Sequence, residues 1–435
     1  MSKSDDTQRI ALWIRKIING RNNGGMKQFF PKKSFPPSLI IFISVVMLLQ
    51  APLAMEVYAP SLPAMVQAFN ATPRDIQLTM IVYLAAVSVA QIILRIMADH
   101  YGRRRLLLST MPLLVAGSLM IVCANTLTTV LVGRVIQGVG AGICAASARA
   151  ILTDAFEGPE LNRGIAYLMT AYTFFPITLP LIGGFIQQSV GWRGNFIFIL
   201  LASGIAYLFF VFKLPETYFS KDTPPLDKTT LIKNYGAVLT HKTYLFGVLI
   251  NALMWSMMMV FSLVGPFLIQ SKLGESAIVY GYLATTIGMG FFIGTRLNHT
   301  LLKATTSDNL MRASLLICLL FSIILETFIS IQWNTTWAVM SPIFFMMIGV
   351  GVGFPHFYAA AISAVPEHPA IAHALISPLI LISSVMIAGV VVQFNAYSFH
   401  TLGFVYVAIS TVCCVIYCLN TRDIAPPDPE LVISE

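Results

Sequence analysis

Glu56, in LAMEVYAPSLPAM, and Arg134, in LVGRVIQGVGAG, are formal charges set inside long apolar runs. An ionisable group within a membrane segment is expensive, and by default it marks a functional site. A carboxyl shielded from water is held neutral by the cost of desolvating its charge, and a nearby cation restores that charge. Competition between a proton and a substrate for one carboxylate is the simplest physical scheme for antiport, and Glu56 is the candidate carrier. The alternative is a structural carboxyl that caps backbone groups freed by Pro60. A guanidinium does not deprotonate in a protein, so Arg134 either polarises a carboxyl hydrogen-bond network or holds an anionic group. Gln137, three residues on, shares its helical face, and Gly138, Gly140 and Gly142 permit close helix approach. Glu326 is expected to face solvent or to snorkel. His356 belongs to the residue type that changes charge between pH 5 and 8; it is either a second proton carrier or an ordinary packed side chain.

These residues need elements to hold them, and the composition says which. Hydrophobic residues make up 57% of the 435-residue chain and charged residues 11%, against roughly 45–50% and about 25% in soluble domains. Mean hydropathy is +0.78. A soluble enzyme, a disordered chain and an outer-membrane barrel are all excluded, the last because barrel strands alternate polar with apolar. A bilayer core takes about 20 apolar residues per helix. Twelve such segments occur, near 38–58, 76–98, 106–124, 127–150, 164–187, 194–214, 243–270, 279–301, 311–330, 335–358, 370–393 and 398–419. The expected fold class is an all-α polytopic membrane protein with twelve transmembrane helices in two six-helix halves. The first half is 38–214 and the second 243–420, joined by a polar linker over 215–242 and flanked by tails 1–37 and 421–435.

The net charge of +8 is a topology signal, not a nucleic-acid footprint. With the N-terminus cytoplasmic, the inner segments carry 20 Lys and Arg and the outer loops 3, which by the positive-inside rule predicts both termini in the cytoplasm. Ile10, Trp13, Ile14, Ile17 and Ile18 fall on one helical face of the N-terminal tail. That tail is either an interfacial amphipathic helix or an irregular extension preceding an alternative start at Met26. No signal-peptide cleavage site follows it. The six cysteines lie in apolar stretches, with spacings that suit neither a metal site nor a disulfide framework. No cofactor is expected, and no Walker A lysine motif supports ATP-driven transport.

Two further motifs carry mechanics. ADHYGRRR joins the second and third segments through a tight turn at Gly102. PITLPLIGG in the fifth places Pro176 and Pro180 four residues apart, followed by Gly183 and Gly184; prolines that kink and glycines that pack closely suit a helix that flexes or seals. Together these pieces resemble the major facilitator superfamily, and more narrowly its twelve-helix drug:proton antiporters of the Bcr/CflA (bicyclomycin and chloramphenicol resistance) type. The resemblance covers about 38–420. RIMADHYGRRR resembles the superfamily loop motif through Asp99, Gly102, Arg103 and Arg104, with Arg95 and His100 departing from it. LVGRVIQGVGAG resembles the R-x-x-Q-G motif through Arg134, Gln137 and Gly138. PLIGG resembles the core of the antiporter motif through Pro180, Gly183 and Gly184, with Leu179 where that motif has glycine. MEVYAPSLP, RAILTD and GPFLIQ resemble Bcr-type segments, with Glu56 standing for an aspartate.

The resemblance implies a transporter, not an enzyme, in the bacterial inner membrane: a monomer exporting small lipophilic or amphiphilic compounds in exchange for protons, with the lipid bilayer as its surroundings and no nucleic-acid partner. It implies a latch of Asp99, Arg103 and Asp154. It also implies a central cavity lined by the first, fourth, seventh and tenth helices, where Glu56, Tyr58, Arg134, Gln137, Asn251, Trp255, Met258 and His356 lie. The fifth helix adds Tyr172 and Phe175. Each aromatic among these is equally suited to plain core packing. A dedicated transporter of one metabolite, such as a siderophore or nutrient, is the alternative function.

Overall fold

The computed structural model describes residues 36–214, 228–395 and 397–420; within these, the side chains of 94–96, 98–101, 228–232 and 299 lie outside the description. The N-terminal amphipathic stretch and the side chains of Arg95, Asp99 and His100 therefore fall outside it.

Among the described residues, twelve helices are long and apolar enough to cross a membrane. The first span is α1 (Pro37–Glu56), a 3-10 turn (Ala59–Ser61) and α2 (Leu62–Phe69). Then come α3 (Pro73–Tyr101), α4 (Arg103–Val122), α5 (Leu127–Ala155), α6 (Gly158–Val190) and α7 (Trp192–Lys213). A short α8 (Lys228–Thr240) lies within the polar linker. The second set is α9 (Lys242–Pro266, prolonged by a π-helical turn, Phe267–Lys272), α10 (Ala277–Leu301), α11 (Ser307–Ser330), α12 (Thr336–Ser363), α13 (Pro369–Val391) and α14 (Phe399–Asn420). α6 extends past the predicted run at both ends, and Pro176 and Pro180 lie inside it without ending it. Neighbouring helices in a membrane bundle can satisfy the backbone that a proline frees.

In the first set α5 packs against α3 and α4, and α4 against α7; in the second, α12 packs against α9, α10 and α11. The two sets meet along two seams, α6 with α10 and α3 with α13. α9 is the most enclosed span, with 89% of its apolar window buried, whereas α6 has 22%. Alternate connections define two ends of the bundle. We call "distal" the end holding 70–72, 123–126, 273–276 and 331–335, and "proximal" the end holding 102, 156–157, 302–306 and 364–368.

At the proximal end a single residue, Gly102, separates α3 from α4 at φ 85°, in the left-handed region where glycine has no steric penalty. Arg104 then donates to the carbonyls of Val211 (3.0 Å) and Leu214 (2.8 Å), groups that the end of α7 leaves without intrahelical partners. Arg103 pairs with Asp154 at 2.8 Å, tying the start of α4 to the end of α5. Of the implied latch this Arg103–Asp154 half lies among the described side chains, and it stays within the first set of helices.

Candidate functional site

The site is built around the interruption of the first span. Proline lacks a backbone donor and disfavours helix in the residue before it, and Pro60 and Pro63 do both in succession. The regular helix ends at Glu56 and resumes at Leu62. A broken helix in a bilayer leaves carbonyls that protein groups must meet. Two side chains meet them. Arg134 of α5 donates from Nη1 to the Ala54 carbonyl at 2.8 Å, and Gln270, in the π-helical turn after α9, donates to the Pro60 carbonyl at 2.9 Å.

Arg134 is wholly buried. It also donates to the Thr79 carbonyl (3.1 Å) and to Gln137 Oε1 (2.6 Å). Its guanidinium carbon stands 4.2 Å from the Tyr58 ring centroid and 4.1 Å from that of Tyr83, so two ring faces balance the charge. Gln137 passes the network on to the Ser118 hydroxyl at 2.8 Å, and the Tyr58 hydroxyl meets Thr79 at 3.2 Å. Tyr58 and Gln137, expected at a cavity wall, are thus fully enclosed. A buried guanidinium needs every acceptor it can reach, and these two side chains serve it. Arg134 makes no ion pair with Glu56 and in this conformation is reached by no solvent.

Glu56 is 6% exposed and is the one acidic side chain buried to that degree among the described residues. Its carboxyl hydrogen-bonds the Ser262 hydroxyl of α9, and it lies within electrostatic range of Tyr58, Tyr172 and Tyr280. Tyr280 of α10 is itself stacked on Phe261 of α9. The carboxyl therefore comes from the first set of helices and bonds to the second.

The distal halves of both sets interlock around it. Gln77 donates to the Leu263 carbonyl at 2.8 Å, and Thr285 to that of Ile177 at 2.9 Å. The two glycines of PLIGG divide their work. A Cβ on Gly183 would come within 1.8 Å of the Val57 carbonyl oxygen, at the break of the first span; one on Gly184 would come within 2.5 Å of the Ala277 oxygen on α10. Gly281 of α10 returns the contact, its Cβ position 2.8 Å from the Pro180 oxygen. Pro180 thus sits on the α6–α10 seam.

Towards the proximal side Arg149 of α5 donates to the Tyr358 hydroxyl of α12 at 3.2 Å and approaches Met169 Sδ at 3.7 Å. Tyr172 lies within electrostatic range of Arg149, Tyr358 and Glu56. Phe354 stacks on Tyr358, and Trp255 packs on Phe354 with centroids 5.9 Å apart. Trp255 and Met258 are half-buried, one helical turn apart on α9. Asn251 is fully buried, its amide turned back on the Gly247 carbonyl at 2.8 Å. His356 is 8% exposed and held by Asn298 of α10 at 2.6 Å, away from Glu56. Phe175 is 46% exposed and pairs edge-on with Phe174. Glu326 does not face open solvent. Its side chain is 15% exposed, pairs with His400 at 2.7 Å, and fits against Gly403, because α14 presents both groups to α11.

Sequence reading passed over Gln77, Gln270, Arg149 and Tyr358. Gln270 and Arg149 stand inside segments that the resemblance had already marked, GPFLIQ and RAILTD. Gln77 and Tyr358 carried no signal, since their partners are a distant carbonyl and a distant arginine.

Known proteins share this architecture. The "Chloramphenicol resistance protein" of Pseudomonas aeruginosa is 27% identical over 73% of this chain and 73% of its own. "Multidrug resistance protein D" of Escherichia coli is 24% identical over 80% of this chain and 87% of its own. Among solved structures, a D-xylose-proton symporter superposes with a TM-score of 0.70 at 13% identity, covering 87% of this chain and 97% of that one, a likeness of fold. Residues 44–390 match the family model of the Major Facilitator Superfamily. Twelve membrane-length helices in two interlocked sets, a first span broken at a buried carboxyl and this match make the chain a member of the Major Facilitator Superfamily, a multi-pass membrane transporter of small molecules.

Proposed function

We propose that this protein is a proton-driven exporter of small amphiphilic organic compounds, drugs among them, working by alternating access between its two six-helix halves. The observation that carries the reading is Glu56, the one buried acidic side chain among the described residues, hydrogen-bonded to Ser262 of the opposite half and within electrostatic range of its Tyr280. A carboxyl so placed changes its surroundings whenever the halves rock, and with them its hold on a proton. The names of the drug-resistance relatives support export.

In this reading both termini are cytoplasmic, the protein is a monomer of the bacterial inner membrane, and the distal end is periplasmic. The conformation is then closed to the periplasm. Substrate enters from the cytoplasm against the wall of Trp255, Phe354 and Tyr358, Glu56 gives up its proton to that side, and the halves reorient. Release of substrate outside and reloading of Glu56 complete the cycle. One charge moved through 100 mV is worth about 2.3 kcal/mol, enough to drive a substantial gradient.

Reconstitution into proteoliposomes tests this. With an imposed pH gradient, at least one amphiphile from a panel that includes chloramphenicol should accumulate against its own gradient, and the accumulation should vanish with a protonophore. Uptake indifferent to the pH gradient across the panel would overturn the proton-driven reading.

A further inference from the structure

Arg149 is a membrane-embedded guanidinium whose company does not match its charge. It lies inside the span α5 and is half-buried. Among the described residues no carboxylate pairs with it. Its polar contacts are the Tyr358 phenol at 3.2 Å and the Met169 thioether at 3.7 Å. Arg134, on the same helix, is wholly buried among carbonyls, an amide and ring faces. Arg103 has Asp154. A guanidinium offers five donors in a planar fork that fits a carboxylate or sulfonate bidentately, and a phenol and a thioether leave most of that fork unused.

Its position is that of a substrate contact. Tyr358 belongs to the other half, Tyr172 lies within range of Arg149, Tyr358 and Glu56, and Phe354 and Trp255 continue an aromatic wall away from Tyr358. An aromatic body on that wall would bring an acidic substituent to Arg149. We infer that Arg149, flanked by Tyr358 and Tyr172, is a subsite for the anionic group of the transported compound, and that the protein prefers amphiphilic organic acids to lipophilic cations of equal size. The inference rests on the exporter reading and narrows its substrate class. The incoming anion takes the place of the Tyr358 hydroxyl on Arg149, which also loosens a bond between the halves.

Equilibrium binding to the purified full-length protein tests it, with three matched probes: naphthalene-2-sulfonate, naphthalene-2-sulfonamide and 2-naphthylmethylammonium. The sulfonate should bind about tenfold tighter than the neutral sulfonamide, the scale of one charge-assisted hydrogen-bonded pair. Arg149→Gln should bring the sulfonate down to the sulfonamide's affinity while leaving the sulfonamide unchanged. Tyr358→Phe should keep the preference for the sulfonate. Equal affinities for sulfonate and sulfonamide, sulfonate binding indifferent to Arg149→Gln, or preference for the ammonium probe would each overturn the subsite. So would both variants shifting all three probes alike, the mark of a structural tie between the halves. Preference for the ammonium probe together with proton-driven uptake would sink the subsite and leave the exporter standing; Arg149-dependent sulfonate binding without such uptake would do the reverse.

Discussion

Two charges stand out in the first half, and the structure gives them opposite characters. Arg134 is held by three acceptors and two ring faces, and it braces the broken first span through the Ala54 carbonyl. Glu56 has the Ser262 hydroxyl as its side-chain hydrogen-bond partner. A buried charge held in this way is structural, and removing one of its acceptors should be felt in stability. Gln137→Leu takes away the side-chain acceptor of Arg134 Nη1 and the donor to Ser118. Leaving a buried donor unpaired costs about 1–3 kcal/mol, so thermal unfolding in detergent should show a lower melting temperature for this variant; an unchanged one would mean that the network is dispensable. That both charges matter was legible from type and setting alone, since each interrupts an apolar run. Their roles were not, because the partners that define Arg134 are backbone carbonyls, and Ser262 is one serine among many until α9 is placed beside α1.

The spans themselves were visible for a simple reason: a bilayer demands long apolar runs, and such runs are counted directly. What periodicity missed were features set by contact. The break at Glu56 depends on Arg134 and Gln270 being at hand to satisfy freed carbonyls. Helix α8 sits in a polar linker and is anchored by Val238, which is buried beside Tyr244 and Ala361. The glycine pair on α6 was legible as a packing motif, but its division of labour needed the neighbours. Gly183→Ala should damage the first half itself, lowering the yield of folded protein, because a methyl would strike the Val57 backbone. Gly184→Ala strikes Ala277 on the opposite half, so it should leave folding intact and wedge the distal seam open. Spin labels on Ala71→Cys and Glu275→Cys report the difference as a longer distal distance in the Gly184→Ala protein. An unchanged distance would show that this seam tolerates the methyl.

On the scale of the whole molecule, the closed distal seam and the buried carboxyl belong together. Gln77, Gln270 and Thr285 each reach a carbonyl across the interface, and Glu56 lies among the elements they join. Side-chain to carbonyl bonds of this kind are worth about 1 kcal/mol or less each in a membrane, weak enough to be broken and remade in every cycle. Opening the seam would expose Glu56 to the distal side, and closing it again would hand the carboxyl back to the interior. In the proposed function Glu56 links proton and substrate movements, and the neutral, isosteric Glu56→Gln variant isolates that role. Measured side by side in proteoliposomes, it should still exchange labelled for unlabelled substrate down a gradient and should lose pH-driven accumulation altogether. Accumulation in the variant equal to that of the wild-type protein would contradict the assignment of Glu56 as the proton carrier.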